Sequence, residues 1–83
     1  MDGAALDGVD LTGARLADAS FQRASLTKAK LVEVDGRRVR LISTDLRGAV
    51  LDRADLTSAD LTSANLAGAS LKGTNLRDRK AHV

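Results

Sequence analysis

The sequence predicts an all-β solenoid, a chain that turns every five residues and stacks coil on coil. Three observations carry this. All thirteen leucines fall in one five-residue frame: Leu6, Leu11, Leu16, Leu26, Leu31, Leu41, Leu46, Leu51, Leu56, Leu61, Leu66, Leu71 and Leu76. Phe21, the single aromatic residue, shares it. Two positions earlier stands a small or β-branched residue, from Ala4 and Val9 through Val34, Val39 and Thr44 to Ala69 and Thr74. The second residue after Leu is Gly8, Gly13, Gly48, Gly68 and Gly73 in five of the units.

A period of five fits neither regular element. At about 100° per residue a helix would spiral its leucines round the axis and leave no apolar face. On a flat strand an odd period would send successive leucines to opposite sides. A corner every five residues resolves both. Leu and the residue two before it then point inward, and the next two residues make the turn. Glycine suits a type II turn because its third residue needs φ > 0. Asp18, Ser43, Ser58, Ser63 or a basic residue at that place suggests a different turn type there. Proline is absent, so no ladder loses a donor. Corners of about 90° give roughly twenty residues per coil, with Leu stacked on Leu at the strand spacing of about 4.8 Å.

The most regular stretch, Thr44 to Leu76, reads TDLRG AVLDR ADLTS ADLTS ANLAG ASLKG TNL. This resembles the pentapeptide-repeat family, A-(D/N)-L-x-x, over nearly the whole chain. The resemblance implies a right-handed quadrilateral β-helix (pentapeptide-repeat solenoid) of about four coils, forming one domain over residues 1–83. The fold itself suggests a structural or protein–protein interaction module, and the resemblance adds a second reading, a DNA mimic that binds DNA gyrase and protects it from inhibitors. Mimicry needs a long, strongly acidic rod. The net charge here is +2 and the solenoid is short, so the module reading is preferred.

Regular repeats are expected at about 4–31 and 44–76. Between them, residues 32–43 read VEVDGRRVRLIS, with Gly36 where a Leu belongs. In-frame continuation with a hole, bulge or bend at Asp35-Gly36-Arg37 is preferred. A β-hairpin at Asp-Gly is the alternative. Val32, Ile42 and Val50 are apolar at outward positions, and with Arg37, Arg38 and Arg40 they make a candidate interaction surface where the repeat is least regular. Residues 77–83 lose the pattern and are expected to fray or fold over the last coil.

Composition narrows the function classes. No Cys is present, which removes disulfides, thiolate chemistry and Cys-based zinc sites. No apolar run approaches a membrane span, and Met1-Asp2-Gly3 does not open a signal peptide, so a cytoplasmic location is expected. His82 has no partner for metal or proton chemistry. Paired carboxylates need a pocket that a Leu-filled solenoid does not provide. Hence no catalytic, cofactor or metal site is expected, and the chain is read as not an enzyme.

Folding the sequence at twenty residues places Arg37, Arg38 and Arg77 together, with Arg23 and Arg40 nearby. Asp18, Asp35, Asp55 and Asp78 share that face and no aromatic is exposed, so nucleic acid is disfavoured. Thr57-Ser58 and Thr62-Ser63 fall on different faces, which argues against a flat Thr surface for ice or carbohydrate. The expected partner is another protein. Self-association through a terminal coil is also expected, because uncapped ladder ends invite pairing. The simplest form is a two-fold dimer through Leu66, Leu71 and Leu76.

Overall fold

The computed structural model describes residues 1–80, so His82 lies outside the described residues. The chain is a β-helix. Parallel bridges recur every five residues from Ala5–Ser25 to Asp60–Lys80, and every pair is twenty residues apart. The bridges are isolated pairs between turns, because a turn every five residues leaves room for one paired residue on each side. No extended strand forms among the described residues.

The turns close with the N–H of the small residue donating to the carbonyl three residues back, at the Leu position, as Val9 does to Leu6 at 3.1 Å and Val39 to Gly36 at 3.0 Å. The third turn residue has positive φ at every such position. Six are glycines, and ten are not: Asp18, Arg23, Lys28, Glu33, Arg38, Ser43, Arg53, Ser58, Ser63 and Asp78, with φ between 53° and 63°. The expectation of a different turn type at the non-glycine positions is therefore corrected. A left-handed L-residue costs about 1–2 kcal/mol, yet the ladder imposes it. The N–H of this residue must reach the coil above, as Arg23 reaches the Ile42 carbonyl at 2.9 Å. An inter-coil hydrogen bond that would otherwise be lost outweighs local preference.

Inside, Phe21, Leu26, Leu31, Leu41, Leu46, Leu51, Leu56 and Leu61 are buried. At about 1.5–3 kcal/mol for each large apolar side chain, they dominate the stability. Leu6, Leu11 and Leu16 at one end, and Leu66, Leu71 and Leu76 at the other, are half-buried because each has a coil on one side only. Thr44 sits fully buried in the small-residue column, and its hydroxyl donates to the Phe21 carbonyl at 2.7 Å. That bond removes the cost of an unpaired buried hydroxyl.

At residues 32–43 the coil continues in frame, the preferred expectation, with a small void at Gly36 in place of a bulge or bend. Asp35 bridges both Arg15 and Asp55, and the Gly36 N–H donates to the Asp55 carbonyl at 2.8 Å. Neither bulge nor hairpin forms, since the ladder needs only the backbone frame, which Val34 and Val39 keep on either side. What Gly36 changes is packing. The Leu56 Cδ2 lies 2.8 Å from where a Gly36 Cβ would stand, so the neighbouring leucine leans into the vacant space. A void of about 10 Å³ remains, lined by apolar groups that include Phe21, Gly36 and Leu56. An apolar void of that size stays dry. The extra bulk of Phe21 partly offsets the side chain that Gly36 lacks.

The last residues also keep the frame. Lys80 bridges Asp60, and the Ser58 N–H donates to the Arg77 carbonyl. The loss of pattern expected from residue 77 is therefore not seen through residue 80, and residues 81–83 lie outside the described residues. Arg79, in an inward column, turns its guanidinium across the end to donate to the Leu76 carbonyl at 3.2 Å.

Candidate interaction surface

The residue before Leu points outward and braces the turn that follows. Where it is Asp or Asn, its Oδ1 accepts the N–H two residues on. Asp55 takes Thr57 at 3.1 Å, Asp60 takes Thr62 at 3.0 Å, and Asn65 takes Ala67 at 3.1 Å. This N–H belongs to no ladder, so the side chain satisfies a donor the backbone leaves over. The Thr hydroxyls of Thr12, Thr57 and Thr62 add a second bond to the same oxygen.

Where the bracing residue is Ser, the carboxylate comes from the coil below. Asp2 accepts from the Ser20 hydroxyl and the Gln22 N–H. Asp7 does the same for Ser25 and Thr27, and Asp52 for Ser70 and Lys72. These bonds join neighbouring coils through side chains as well as backbone. Sequence reasoning missed this bracing. Its signal was present in the spacing of Asp and Thr two apart and of Asp and Ser eighteen apart.

Most remaining carboxylates are ion-paired. Arg37 holds Asp35 with two bonds of 2.8 Å, Arg38 reaches down to Asp18 at 2.7 and 3.0 Å, and Arg47 holds Asp45. The guanidinium hydrogen bonds from Arg37 pull the Asp35 carboxyl down to about 2. Asp18 is lowered by Arg38 and Asp45 by Arg47. Asp7 is lowered by the Ser25 and Thr27 hydroxyls, and Asp52 by that of Ser70.

A carboxyl whose pKa is lower in the folded chain contributes stability above its unfolded value, and that stability is lost as pH falls through the folded value. All these shifts are downward from 3.8. The melting temperature is therefore expected to hold from pH 7 to about 5 and to fall between about pH 4 and 2. Thermal melts across that range check this; a melting temperature unchanged down to pH 2 would contradict it.

Of the residues singled out as a contact surface, only Val32 and Val50 come together, being eighteen apart on adjacent coils like Asp52 and Ser70, whose side chains hydrogen-bond. Val32 and Ile42 stand two turns apart on the same coil, and Val50 lies directly over Lys30. All three are half-buried. Arg37 and Arg38 are committed to Asp35 and Asp18, while Arg40 sits over Ser20 and under Asp60 in another column. The stretch runs round the coil instead of gathering on one face. Among the described residues no His, Cys, Asp and Glu cluster could hold a metal, and no helix is long and apolar enough to cross a membrane.

Charge is segregated along the axis. Residues 1–20 carry Asp2, Asp7, Asp10 and Asp18 against Arg15, a side-chain charge of −3. Residues 21–40 carry six cations (Arg23, Lys28, Lys30, Arg37, Arg38, Arg40) against Glu33 and Asp35, or +4. Residues 41–60 carry Arg47 and Arg53 against Asp45, Asp52, Asp55 and Asp60, or −2. Residues 61–80 carry Lys72, Arg77, Arg79 and Lys80 against Asp78, or +3. Successive twenty-residue levels thus alternate in sign, and each attracts its neighbours.

Comparison with known proteins places this architecture. The family model for pentapeptide repeats matches residues 1–35 and 37–78, in eight copies. The break between the two matches falls at Gly36. Among solved structures, a pentapeptide repeat protein of the Arabidopsis thaliana thylakoid lumen superposes with a TM-score of 0.95 at 30% identity, covering 98% of this chain and 56% of that one. HetL, a pentapeptide repeat protein involved in heterocyst differentiation regulation in the cyanobacterium Nostoc sp. strain PCC 7120, is 37% identical with a TM-score of 0.75. That match covers 92% of this chain and 38% of HetL. Rfr23 of the cyanobacterium Cyanothece 51142 is 27% identical with a TM-score of 0.57, covering 99% and 63%. The chain therefore spans about half of the first relative and less than half of HetL. A comparison with curated proteins gave no match. From the unbroken five-residue frame, the twenty-residue ladder and these matches, the chain belongs to the pentapeptide repeat family.

Proposed function

We propose that the chain is a non-catalytic interaction module, a right-handed, four-sided prism of about four coils that presents a rigid surface to another protein. One observation carries this reading: ten of its eleven acidic side chains are spent on its own hydroxyls, turn N–H groups and guanidinium groups. Carboxylates used as internal braces make the coil stiff and leave no acid–base pair facing a cleft. The likeness to HetL adds a relative whose role is regulatory, which suits action by contact.

Gyrase-directed DNA mimicry finds less support. A mimic needs a continuous acidic face, whereas the sign of the charge here changes every twenty residues. Cross-linked affinity capture from the source cell, read by mass spectrometry, tests the proposal. Recovery of one defined protein partner or of the chain itself supports it. Recovery of small-molecule turnover activity with the purified chain, or of gyrase as the main partner, would overturn it.

A further inference from the structure

We propose that the chain binds a second copy of itself head to tail, the last coil of one molecule docking on the first coil of the next. This rests on the reading of the chain as an interaction module and names its partner. Three independent features of the two ends agree.

The first is the polarity of the ladder. In every coil the N–H groups of Leu and of the third turn residue point toward the C-terminal end, while only the bridge residue's N–H points back. The C-terminal end therefore presents a surplus of donors, and among the described residues Leu66, Gly68, Leu71, Gly73 and Leu76 have no acceptor. At the N-terminal end the carbonyls of Ala5, Asp7, Asp10, Thr12 and Arg15 have no donor. These stand in the same columns, so a second copy set twenty residues on continues the ladder. The Leu66 N–H then meets the next molecule's Ala5 carbonyl, and its Leu71 N–H meets the Asp10 carbonyl. Two C-terminal ends facing one another would set a surplus of donors against a surplus of donors, since among the described residues the free carbonyls of Ala64, Ala69 and Thr74 are fewer.

The second feature is charge. The last twenty described residues carry +3 and the first twenty −3, so head-to-tail contact continues the alternation along the axis. A two-fold contact through either end sets like charge on like. The third feature is apolar. Leu66, Leu71 and Leu76 lie in the columns of Leu6, Leu11 and Leu16, and all six are half-buried. Stacking would complete the leucine columns through the contact. The molecule measures 27 × 22 × 21 Å, so its ends are a large share of its surface. Such a heterologous contact, made along the coil axis, does not close and builds an open filament.

Two variants test it. Ala5→Lys with Asp10→Lys brings the acidic end from −3 to 0; Arg15, Lys30 and Arg40 already hold basic residues at the equivalent position. Lys72→Glu with Arg77→Glu reverses the basic end at exposed side chains outside the ion pairs. Circular dichroism first establishes that both fold. In native mass spectrometry the wild type should pass through dimers to longer species as concentration rises. Its association should weaken about tenfold between roughly 50 and 500 mM salt as the Debye length shortens.

Each variant alone should be monomeric, and their equimolar mixture should form heterodimers and stop there. A homodimer persisting in either variant would show a two-fold contact and overturn the proposal, as would a wild type that stays monomeric at millimolar concentration. The second outcome leaves the module reading standing if affinity capture recovers a different protein.

Discussion

Leu46→Ala is expected to cost about 3–5 kcal/mol, the range for truncating a fully enclosed leucine. Leu46 has no measurable exposure and is covered on both sides along its column by Leu26 and Leu66. A domain of this size has a total stability of about 4–12 kcal/mol, so the variant should be close to unfolding. Leu71→Ala removes the same atoms from a half-buried site with a coil on one side only, and should cost about half as much. Urea unfolding of both variants measures the ratio. Equal losses would mean that stability is not accumulated coil by coil through neighbour contacts.

The second large effect concerns Gly36. Gly36→Leu restores the family residue yet is expected to destabilise the chain by about 1–3 kcal/mol, because the space is already partly taken. The Leu56 Cδ2 stands 2.8 Å from the new Cβ, and Phe21 lines the same void. Phe21→Leu alone enlarges the void and should cost about 1–2 kcal/mol. In the double variant the two changes compensate, and the sum of the single effects should exceed the measured loss by at least about 1 kcal/mol. Additive effects would show that Phe21 and Gly36 do not share one packing volume.

Much of this was legible in the sequence because the period is set by side chains. Thirteen leucines in one frame fix which residues point inward, and a corner every five residues follows from steric geometry alone. The turn type was less legible. Glycine announces positive φ, but Arg23 or Lys28 adopts it only because an inter-coil acceptor lies in one direction, which depends on the coil twenty residues away. Continuation past Gly36 was legible from Val34 and Val39, whereas the lean of Leu56 into the vacant space depends on the coil twenty residues away. Of the surface expected at Val32, Ile42 and Val50, the coil brings Val32 and Val50 together across adjacent levels and sets Ile42 two turns away, because neighbours in sequence are distributed over different faces. The bracing carboxylates were visible as spacings of two and eighteen, yet their role required knowing which N–H the ladder leaves unpaired.

Amide hydrogen exchange followed by NMR at several protein concentrations tests the central claim most directly, since the account holds that unpaired ladder donors are where a partner binds. The amides of Leu66, Leu71 and Leu76 should exchange fast in dilute solution and slow markedly as concentration rises. Those of Leu6 and Leu11, already bonded to Ser25 and Lys30 at 2.8 Å, should not change with concentration. Rapid exchange of the three C-terminal leucine amides at every concentration would contradict it.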